Sequence, residues 1–274
     1  MKNEQNYFGH RISKSLGQHF LIDNFFIKNI IRIINPKREE IMFEIGPGMG
    51  ALTKPILLLT DNLSVIEIDE NLVNFLKKNI INKKTKIFLQ DILKFNFRNF
   101  VSSNKKIRIF GNLPYNISSK IIFYLILFKD IFSDLHFLLQ KEVVKRFCAT
   151  PDTKEYGRLS VLIQYHFNVK SFFDIPPKSF FPIPKVNSSF IRLIPNKLSS
   201  IFLKETYYLN IITKLAFSNR RKIIKNSLKI LFSENEFFEM NISPFARAEN
   251  LNLLEYCRLS KYLFKKKIYS YENK

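Results

Sequence analysis

The feature that most constrains the fold of this chain is a short apolar segment that runs directly into a glycine-rich turn. Ile41 to Ile45 is typical of a buried strand, and Gly46-Pro47-Gly48-Met49-Gly50 follows it immediately. The glycines allow a sharp turn into the next helix and a close approach of the backbone to a ligand. The spacing matches neither the dinucleotide-binding fingerprint nor a phosphate-binding loop. A tight turn without any ligand is the alternative interpretation.

Strands and helices alternate along the first part of the chain. Further strands are predicted at residues 64–68, 86–89, 107–110 and 136–139, and helices at 24–34, 51–59, 71–79 and 119–128. Strands that are separated by helices form mainly parallel sheets with helices on both faces. We therefore predict an α/β fold for this part of the chain.

The second half of the chain has a different pattern. Residues 175–184 hold four prolines in ten, which indicates a rigid, irregular loop, and a strand is predicted at 186–193. From about Ser199 onward there is no glycine, and only Pro244 can break a helix. We predict two domains, residues 1–198 and a small all-helical domain of residues 199–274.

Charge and composition restrict the classes of partner. The chain has Lys+Arg 44 against Asp+Glu 23, a net charge of +21, which suits a polyanion such as RNA or DNA. Codon bias in an AT-rich genome is the alternative. The longest apolar run, 121–128, is far shorter than the roughly 20 residues of a membrane span, and the start lacks the apolar core of a signal peptide. Two distant cysteines suggest neither a disulfide scaffold nor a metal site, and we expect a cytoplasmic protein.

Acidic residues follow the second and third predicted strands. Glu67 lies at the end of one and Asp91 at the end of the other. Carboxyl ends of parallel strands share one edge of the sheet, so Gly46, Glu67 and Asp91 are expected to face one crevice. Glu67 there can accept hydrogen bonds from both ribose hydroxyls of an adenosine, and Asp91 can bind an adenine amino group. Each carboxylate taken alone is equally typical of a solvated strand end.

The fourth predicted strand runs into Asn112-Leu113-Pro114-Tyr115. The Asn112 side-chain oxygen and the Leu113 carbonyl can each accept an N–H of a planar amine, which favours a pyramidal nitrogen with a localised lone pair. Pro114 stiffens the turn, and Tyr115 can stack on a base, worth about 1–3 kcal/mol. This pattern predicts methyl transfer to a nucleobase amine outside a regular stack, catalysed mainly by orientation. A helix-initiating turn with a buried tyrosine is the alternative.

Two further segments each have two interpretations. Phe180, within the proline-rich segment, is either a second stacking wall for the base or a loop aromatic that fills the core. The arginines of residues 219–222 either contact RNA phosphates or belong to a solvated helix face.

Nine segments of the chain occur in the order of one known family. They are Lys14–Leu21, Glu44–Thr53, Gln90–Asp91, Gly111–Ser118, Leu139–Val143, Tyr156–Ser160, Pro182–Ser188, Phe217–Lys222 and Arg247–Asn250. Over nearly its whole length the chain resembles the ribosomal RNA adenine dimethyltransferases, and in particular their bacterial small-subunit branch.

The resemblance implies a Rossmann-like class I methyltransferase sheet, S-adenosylmethionine as methyl donor, and no metal. The implied substrate is a pair of adjacent adenines in the hairpin loop near the 3′ end of small-subunit rRNA, within an immature small ribosomal subunit, and we expect a monomer. The implied site residues are His19, Leu21, Gly46 and Gly48 along the cofactor, Glu67 on its ribose, Asp91 and Asn112 near its adenine and the reaction centre, and Tyr115 and Phe180 on the target base.

Two positions depart from the commonest family pattern. His19 stands where many members have Asn, so its hydrogen bonds and its tautomer are open, and Asn187 stands where Asp is usual. Two rival functions are weighed. One is methylation of a single large-subunit adenine, against which the motifs at 217–222 and 247–250 argue. The other is RNA binding without turnover, against which the intact Asn112 and Tyr115 argue.

Overall fold

The computed structural model describes residues 6–7, 10–13, 15–80, 85–101, 105–196 and 203–272. Lys14 of the first family segment and the predicted boundary at 198/199 lie outside the described residues. The chain divides into two compact units, Met1–Val144 with Lys170–Pro195, and Lys145–Val169 with Asn196–Lys274. The sequence pattern placed residues 145–169 in the first domain, whereas the structure groups them with the helical unit.

The strands, numbered in chain order, are short except for those in the middle of the chain. They are β1 (Asn6–Tyr7), β2 (His10–Arg11), β3 (Phe20–Leu21), β4 (Ile41–Ile45), β5 (Leu63–Glu67), β6 (Lys86–Leu89), β7 (Ile107–Asn112), β8 (Phe132–Gln140), β9 (Phe167–Ile175), β10 (Phe180–Phe181) and β11 (Ser188–Pro195).

The helices are spread over both units. They are α1 (Asn24–Ile34), α2 (Thr53–Ile56), α3 (Glu70–Asn79), α4 (Ser118–Leu125), α5 (Lys141–Cys148), α6 (Arg158–His166), α7 (Leu203–Ser218), α8 (Ile224–Ser227), α9 (Glu234–Glu239) and α10 (Leu253–Glu272). Short 3₁₀ turns cover Ile92–Lys94, Phe97–Phe100, Ile126–Ile131 and Pro177–Ser179. Across the described part of the chain, no helix combines the length and the apolar character needed to cross a bilayer.

A seven-stranded sheet organises the first unit, in the order β6-β5-β4-β7-β8-β11-β9. The five strands from β6 to β8 run parallel, and β11 is antiparallel to β8. The predicted parallel sheet is therefore confirmed. Its consequence is that β4, β5, β6 and β7 all end at the same edge, where the glycine turn, Glu67, Asp91 and Asn112 follow or close them.

Both faces of this sheet are covered. Neighbouring residues of a strand point to opposite faces, and Met42 and Phe43 on β4 are both fully buried. Met42 belongs to a core cluster that includes Ile30 and Ile34 of α1. Phe43 packs instead against a group of phenylalanine rings, with Phe97 at 5.4 Å between ring centroids. Burial on both faces is the expected condition of a parallel sheet.

Some predicted elements differ from those observed. The helix expected at 51–59 is only α2, because Leu58 N and Leu59 N bond three residues back, to Pro55 O and Ile56 O, and tighten the chain into turns. β9 was not predicted, because its side chains alternate poorly between buried and exposed along the strand. α1 is confirmed, with Asp23 as its cap, accepting from Phe25 N at 3.0 Å.

A buried arginine ties four elements together at the amino end of the sheet. Arg108 of β7 is 9% exposed and holds both carboxylate oxygens of Asp134 on β8, at 2.8 and 2.9 Å. The same guanidinium donates to Glu40 Oε2 at 2.7 Å, just before β4, and to the Ile34 carbonyl at 2.7 Å, at the end of α1. Every contact uses a donor of a rigid planar group, so the four elements are fixed in position.

The helical unit has its own core and its own arginine that joins separate segments of the chain. Arg220 forms an ion pair with Glu249 and donates to the carbonyls of Thr153 and Lys154, at 3.1 and 2.9 Å. Its positive charge is therefore paired within the helical unit. Of the segment 219–222, Arg221 and Lys222 are exposed, so the RNA-contact interpretation applies to these two side chains and not to Arg220.

We expect Arg108→Ala to lower the free energy of unfolding by about 3–5 kcal/mol, because it leaves Asp134 buried beside no counter-charge. The matched control is Arg98→Ala. Arg98 makes the same two-oxygen contact with Asp130, but on the surface, and the change is expected to cost less than about 1 kcal/mol. Urea denaturation of the three proteins measures both. Equal losses for the two variants would contradict the structural role given to Arg108.

Candidate active site

A cavity of about 380 Å³ lies against the carboxyl ends of the parallel strands. All of the predicted site residues except Phe180 line it. The N-terminal segment from Leu16 to Ile22 forms another part of its wall. The shared edge that was expected from the strand order thus exists, and it encloses space for a ligand.

The glycine turn has the backbone conformation that its composition predicts. Gly46, Gly48 and Gly50 have φ angles of 65°, 56° and 80°, in the left-handed region that disfavours side chains. A Cβ on Gly50 would lie 2.3 Å from Ile80 Cδ1, and one on Gly48 would lie 2.9 Å from Phe20 Cδ1. By contrast, a Cβ on Gly46 would meet nothing closer than the Asn112 carbonyl oxygen at 3.8 Å. At Gly46 the backbone therefore borders open space in the cavity.

Glu67 is held in one orientation by backbone amides. Its Oε1 accepts from Ile68 N at 2.8 Å and Asp69 N at 3.0 Å, and its Oε2 accepts from Gly48 N at 3.4 Å. Burial raises the pKa of Glu67, while these three amides act in the opposite direction. The last contact joins the end of β5 to the glycine turn, so the two predicted halves of the cofactor site are connected.

Glu44 is a site residue that the sequence reasoning missed. It lies on β4 just before the glycine turn, is buried, and accepts from Thr53 Oγ1 at 2.6 Å. Burial raises its pKa from the ordinary value of 4.5 to about 8. The available signal was a carboxylate inside an otherwise apolar strand, since such a group is costly to bury without a purpose. Glu44 and Glu67 thus place two buried carboxyl groups in this wall of the cavity.

Asp91 has the position that was predicted. Its Oδ1 accepts from Leu93 N at 2.9 Å and caps the 3₁₀ turn that follows β6. This contact fixes the carboxylate at the wall of the cavity, so that its second oxygen can accept a hydrogen bond from a ligand.

The side chain of Asn112 is oriented by the N-terminal segment. Its Nδ2 donates to the His19 carbonyl oxygen at 2.7 Å. A carbonyl only accepts, so the amide nitrogen must face His19 and Oδ1 faces the other way. Next to it, Leu113 N bonds the Leu138 carbonyl on β8, and the Pro114 carbonyl accepts from Ile117 N at 3.2 Å, which closes the turn.

The ring of Tyr115 is fixed on two sides. Its hydroxyl lies 2.5 Å from Ser188 Oγ, and its ring stacks on His19 with centroids 5.4 Å apart and planes at 23°. His19 Nδ1 lies 2.7 Å from the Pro182 carbonyl oxygen, so Nδ1 carries the proton. This contact settles the tautomer that the sequence left open. We call Asn112, Tyr115, His19 and Ser188 the clamp.

The N-terminal segment is bonded to the rest of the cavity wall at several points. Gln18 Nε2 donates to Asp69 Oδ2 at 2.8 Å, beside Glu67. β3 pairs with β10, and Ile22 N donates to the Ser179 carbonyl at 2.9 Å. The sequence motif at 14–21 indicated the importance of this segment but not its contacts, which join positions about 160 residues apart.

Phe180 is not where the stacking role requires it. It pairs with Leu21 across β3 and β10, points into the core cluster with Leu21 and Phe190, and is 1% exposed. The structure therefore shows the alternative interpretation, an aromatic that fills the core. A base can stack on Phe180 only if this loop moves.

Residues 9–265 match the family described as ribosomal RNA adenine dimethylase. The ribosomal RNA small subunit methyltransferase A of Buchnera aphidicola subsp. Schizaphis graminum is 48% identical over 261 residues, which cover 95% of each chain.

Solved structures agree with the observed fold. A dimethyladenosine transferase from Plasmodium falciparum superposes with a TM-score of 0.77 at 25% identity, covering 90% of this chain and 98% of that one. The 23S rRNA methyltransferase ErmE superposes with a TM-score of 0.66 at 20% identity, covering 89% and 99%. The methyltransferase sheet expected from the sequence is thereby confirmed.

The raised pKa of Glu44 predicts a pH-dependent stability. Between about pH 4.5 and 8 the folded protein holds a proton that the unfolded chain has released, so stability should fall as pH rises through this window. Glu44→Gln cannot ionise, and its slope should be flatter by up to about 1.4 kcal/mol per pH unit. Urea denaturation at pH 5, 6, 7 and 8 measures both slopes. Parallel slopes would show that Glu44 does not carry this proton.

Proposed function

Because the chain belongs to the ribosomal RNA adenine dimethylase family, we propose that it methylates adenine amino groups of small-subunit rRNA. The target is the pair of adjacent adenines in the hairpin loop near the 3′ end, and the product is dimethyladenosine. The 48% identity to a small subunit methyltransferase across 95% of both chains supports this choice over a large-subunit target. The 23S rRNA methyltransferase that shares the fold is only 20% identical.

The observation that carries the proposal is the orientation of Asn112. Its nitrogen is engaged by the His19 carbonyl, and both residues line the cavity. Asn112 Oδ1 is thereby available as an acceptor beside the glycine turn, where an amine N–H is to be bound. The arrangement suits a donor-rich planar amine and disfavours a carbonyl or carboxylate substrate.

The residues of the cavity fit S-adenosylmethionine as methyl donor. When bound, this molecule supplies an electrophilic methyl group on a positively charged sulfur. Glu67 offers a fixed carboxylate to ribose hydroxyls, Asp91 offers one to an adenine amine, and the open backbone at Gly46 leaves room at the methionine end. Burial favours the protonated forms of Glu44 and Glu67 in the free protein, and a bound cation favours their ionised forms.

The chain's own residues then act by orientation. Asn112 Oδ1 and the Leu113 carbonyl accept the two N–H bonds of the adenine amine and direct its lone pair toward the cofactor. Tyr115, held by Ser188 and His19, supports the face of the base. The methylated ammonium is acidic and releases its proton to water without a dedicated base. Correct placement of two reactants accounts for most of the rate enhancement in such a site.

The same proposal includes the oligomeric state of the protein, the particle on which it acts and the compartment. We infer that the protein acts as a monomer on an immature small ribosomal subunit in the cytoplasm. An assay with purified small and large subunits from cells without the modification tests the target. Methyl incorporation into small-subunit rRNA at the two adenines is expected, and incorporation only into large-subunit rRNA would reject the proposal.

Asn112→Ala should lower kcat by about a hundredfold or more, because the amine loses an acceptor and its orientation. RNA affinity should change little. The matched control is Asn116→Ala, in the same turn, whose exposed amide makes only a 3.4 Å contact with the Ser15 carbonyl. Methylation kinetics and RNA binding are measured in parallel. A loss of RNA affinity as large as the loss of kcat would contradict the assigned role.

Glu67→Gln should weaken cofactor binding by about tenfold, since a side-chain amide replaces a charged acceptor for the ribose hydroxyls. The control is Glu70→Gln, an exposed carboxylate in the first turn of α3. Calorimetric titration with S-adenosylmethionine measures the affinity of both variants. Unchanged affinity in Glu67→Gln would remove Glu67 from the cofactor site.

A further inference from the structure

The loop between β10 and β11 is attached to the clamp at both of its ends. At one end the Pro182 carbonyl bonds the His19 ring, and at the other end Ser188 Oγ bonds the Tyr115 hydroxyl. The five residues between them are exposed except for buried Pro184. Any movement of this loop is thus transmitted directly to the two stacked rings of the clamp, those of His19 and Tyr115.

The beginning of α1 is joined to the same region. Ile22 N bonds the Ser179 carbonyl, and Ser179 Oγ donates to Asp23 Oδ2 at 2.9 Å. Asn24 and Ile27 line the cavity, while Phe25 between them is 68% exposed. A large, mostly exposed aromatic ring therefore lies between two residues that line the cavity.

The exposed side chains of these two segments, which lie at opposite ends of the β3–β10 pair, are together called the rim. It consists of Ile22 and Phe25 from the start of α1 and Ile183, Lys185 and Val186 from the loop, and all five are exposed. Ile183 is 66% exposed. Scattered exposed apolar residues are common, but these belong to segments that line the cavity or bond the clamp, and Lys185 lies among them.

Further lysines lie near the rim. Lys28 on α1 and Lys178 before β10 are also exposed, on the two segments that carry the rim. Asp23, the acid between Ile22 and Phe25, is engaged by Ser179 and by the Phe25 amide. Aromatic and aliphatic side chains interleaved with lysines are the chemistry that binds single-stranded nucleic acid, through base stacking and phosphate contacts.

We propose that the rim binds the single-stranded nucleotides on either side of the target adenine. Phe25 stacks on a flanking base, Ile183 and Val186 pack against the strand, and Lys185 contacts a phosphate. This inference rests on the proposed function, because a base that enters the cavity leaves its neighbours at the entrance. The rim would then hold the RNA strand, whereas the clamp orients the amine.

Steady-state kinetics on unmethylated small subunits test the rim. Phe25→Ala should raise KM for the subunit by about tenfold with kcat nearly unchanged, and Phe25→Tyr should restore KM, because a ring stacks in either case. Lys185→Ala should raise KM and lower by about one the slope of log affinity against log salt concentration. Affinity for S-adenosylmethionine should not change in any of them.

The controls are surface residues of the same chemistry away from the rim. Leu58→Ala removes an 84% exposed apolar side chain, and Lys86→Ala removes an exposed lysine at the start of β6. If the rim variants keep KM within the range of these controls while wild-type protein methylates small subunits, the rim proposal is wrong and the proposed function stands. A wild-type protein that is inactive on small subunits rejects both.

A photoreactive benzoylphenylalanine at position 25 identifies what covers the rim. Illumination of the complex with small subunits should crosslink the protein to rRNA nucleotides adjacent to the two target adenines. A crosslink to a ribosomal protein, to distant RNA, or to nothing would each overturn the proposal.

Discussion

The hydrogen bond from Asn112 Nδ2 to the His19 carbonyl determines which atom of Asn112 is presented to the cavity. A side-chain amide has a donor end and an acceptor end, and only the acceptor end suits an amine. The N-terminal segment supplies the carbonyl that makes this choice, and it is itself held by Asp69, Ser179 and the β3–β10 pair. The chemistry of the turn therefore depends on a segment about 90 residues earlier in the chain.

The electrostatics of the cavity differ from what the net charge of the chain suggests. The chain carries a large positive charge, yet two buried carboxyls, Glu44 and Glu67, lie in the wall of the cavity. Burial penalises their ionised forms, as their raised pKa values show. A cationic ligand reverses that penalty, so the site favours a positively charged donor although the rest of the protein favours a polyanion.

Some arginines of this chain stabilise the fold and others are exposed to solvent, and the net charge does not distinguish the two groups. Arg108 and Arg220 are both satisfied by acids and backbone carbonyls, and each fixes the elements of its own unit. The residues that remain for RNA are the exposed ones, such as Arg221, Lys222 and the lysines around the rim. A positive net charge thus predicts the class of partner but not the side chains that contact it.

The sequence by itself determined that several strands end at one shared carboxyl edge. The apolar strands before Gly46, Glu67, Asp91 and Asn112 are local signals, which need no distant partner. The sequence also determined most of the cavity wall, since these residues belong to contiguous motifs. It gave only an indirect signal for Glu44 as a cavity residue, it left two interpretations open for Phe180, and it could not reveal the tautomer of His19. Only the tertiary structure decided these, because each depends on contacts between residues far apart in the chain. The pairing of β3 with β10 sends Phe180 into the core, and burial of β4 between β5 and β7 desolvates Glu44.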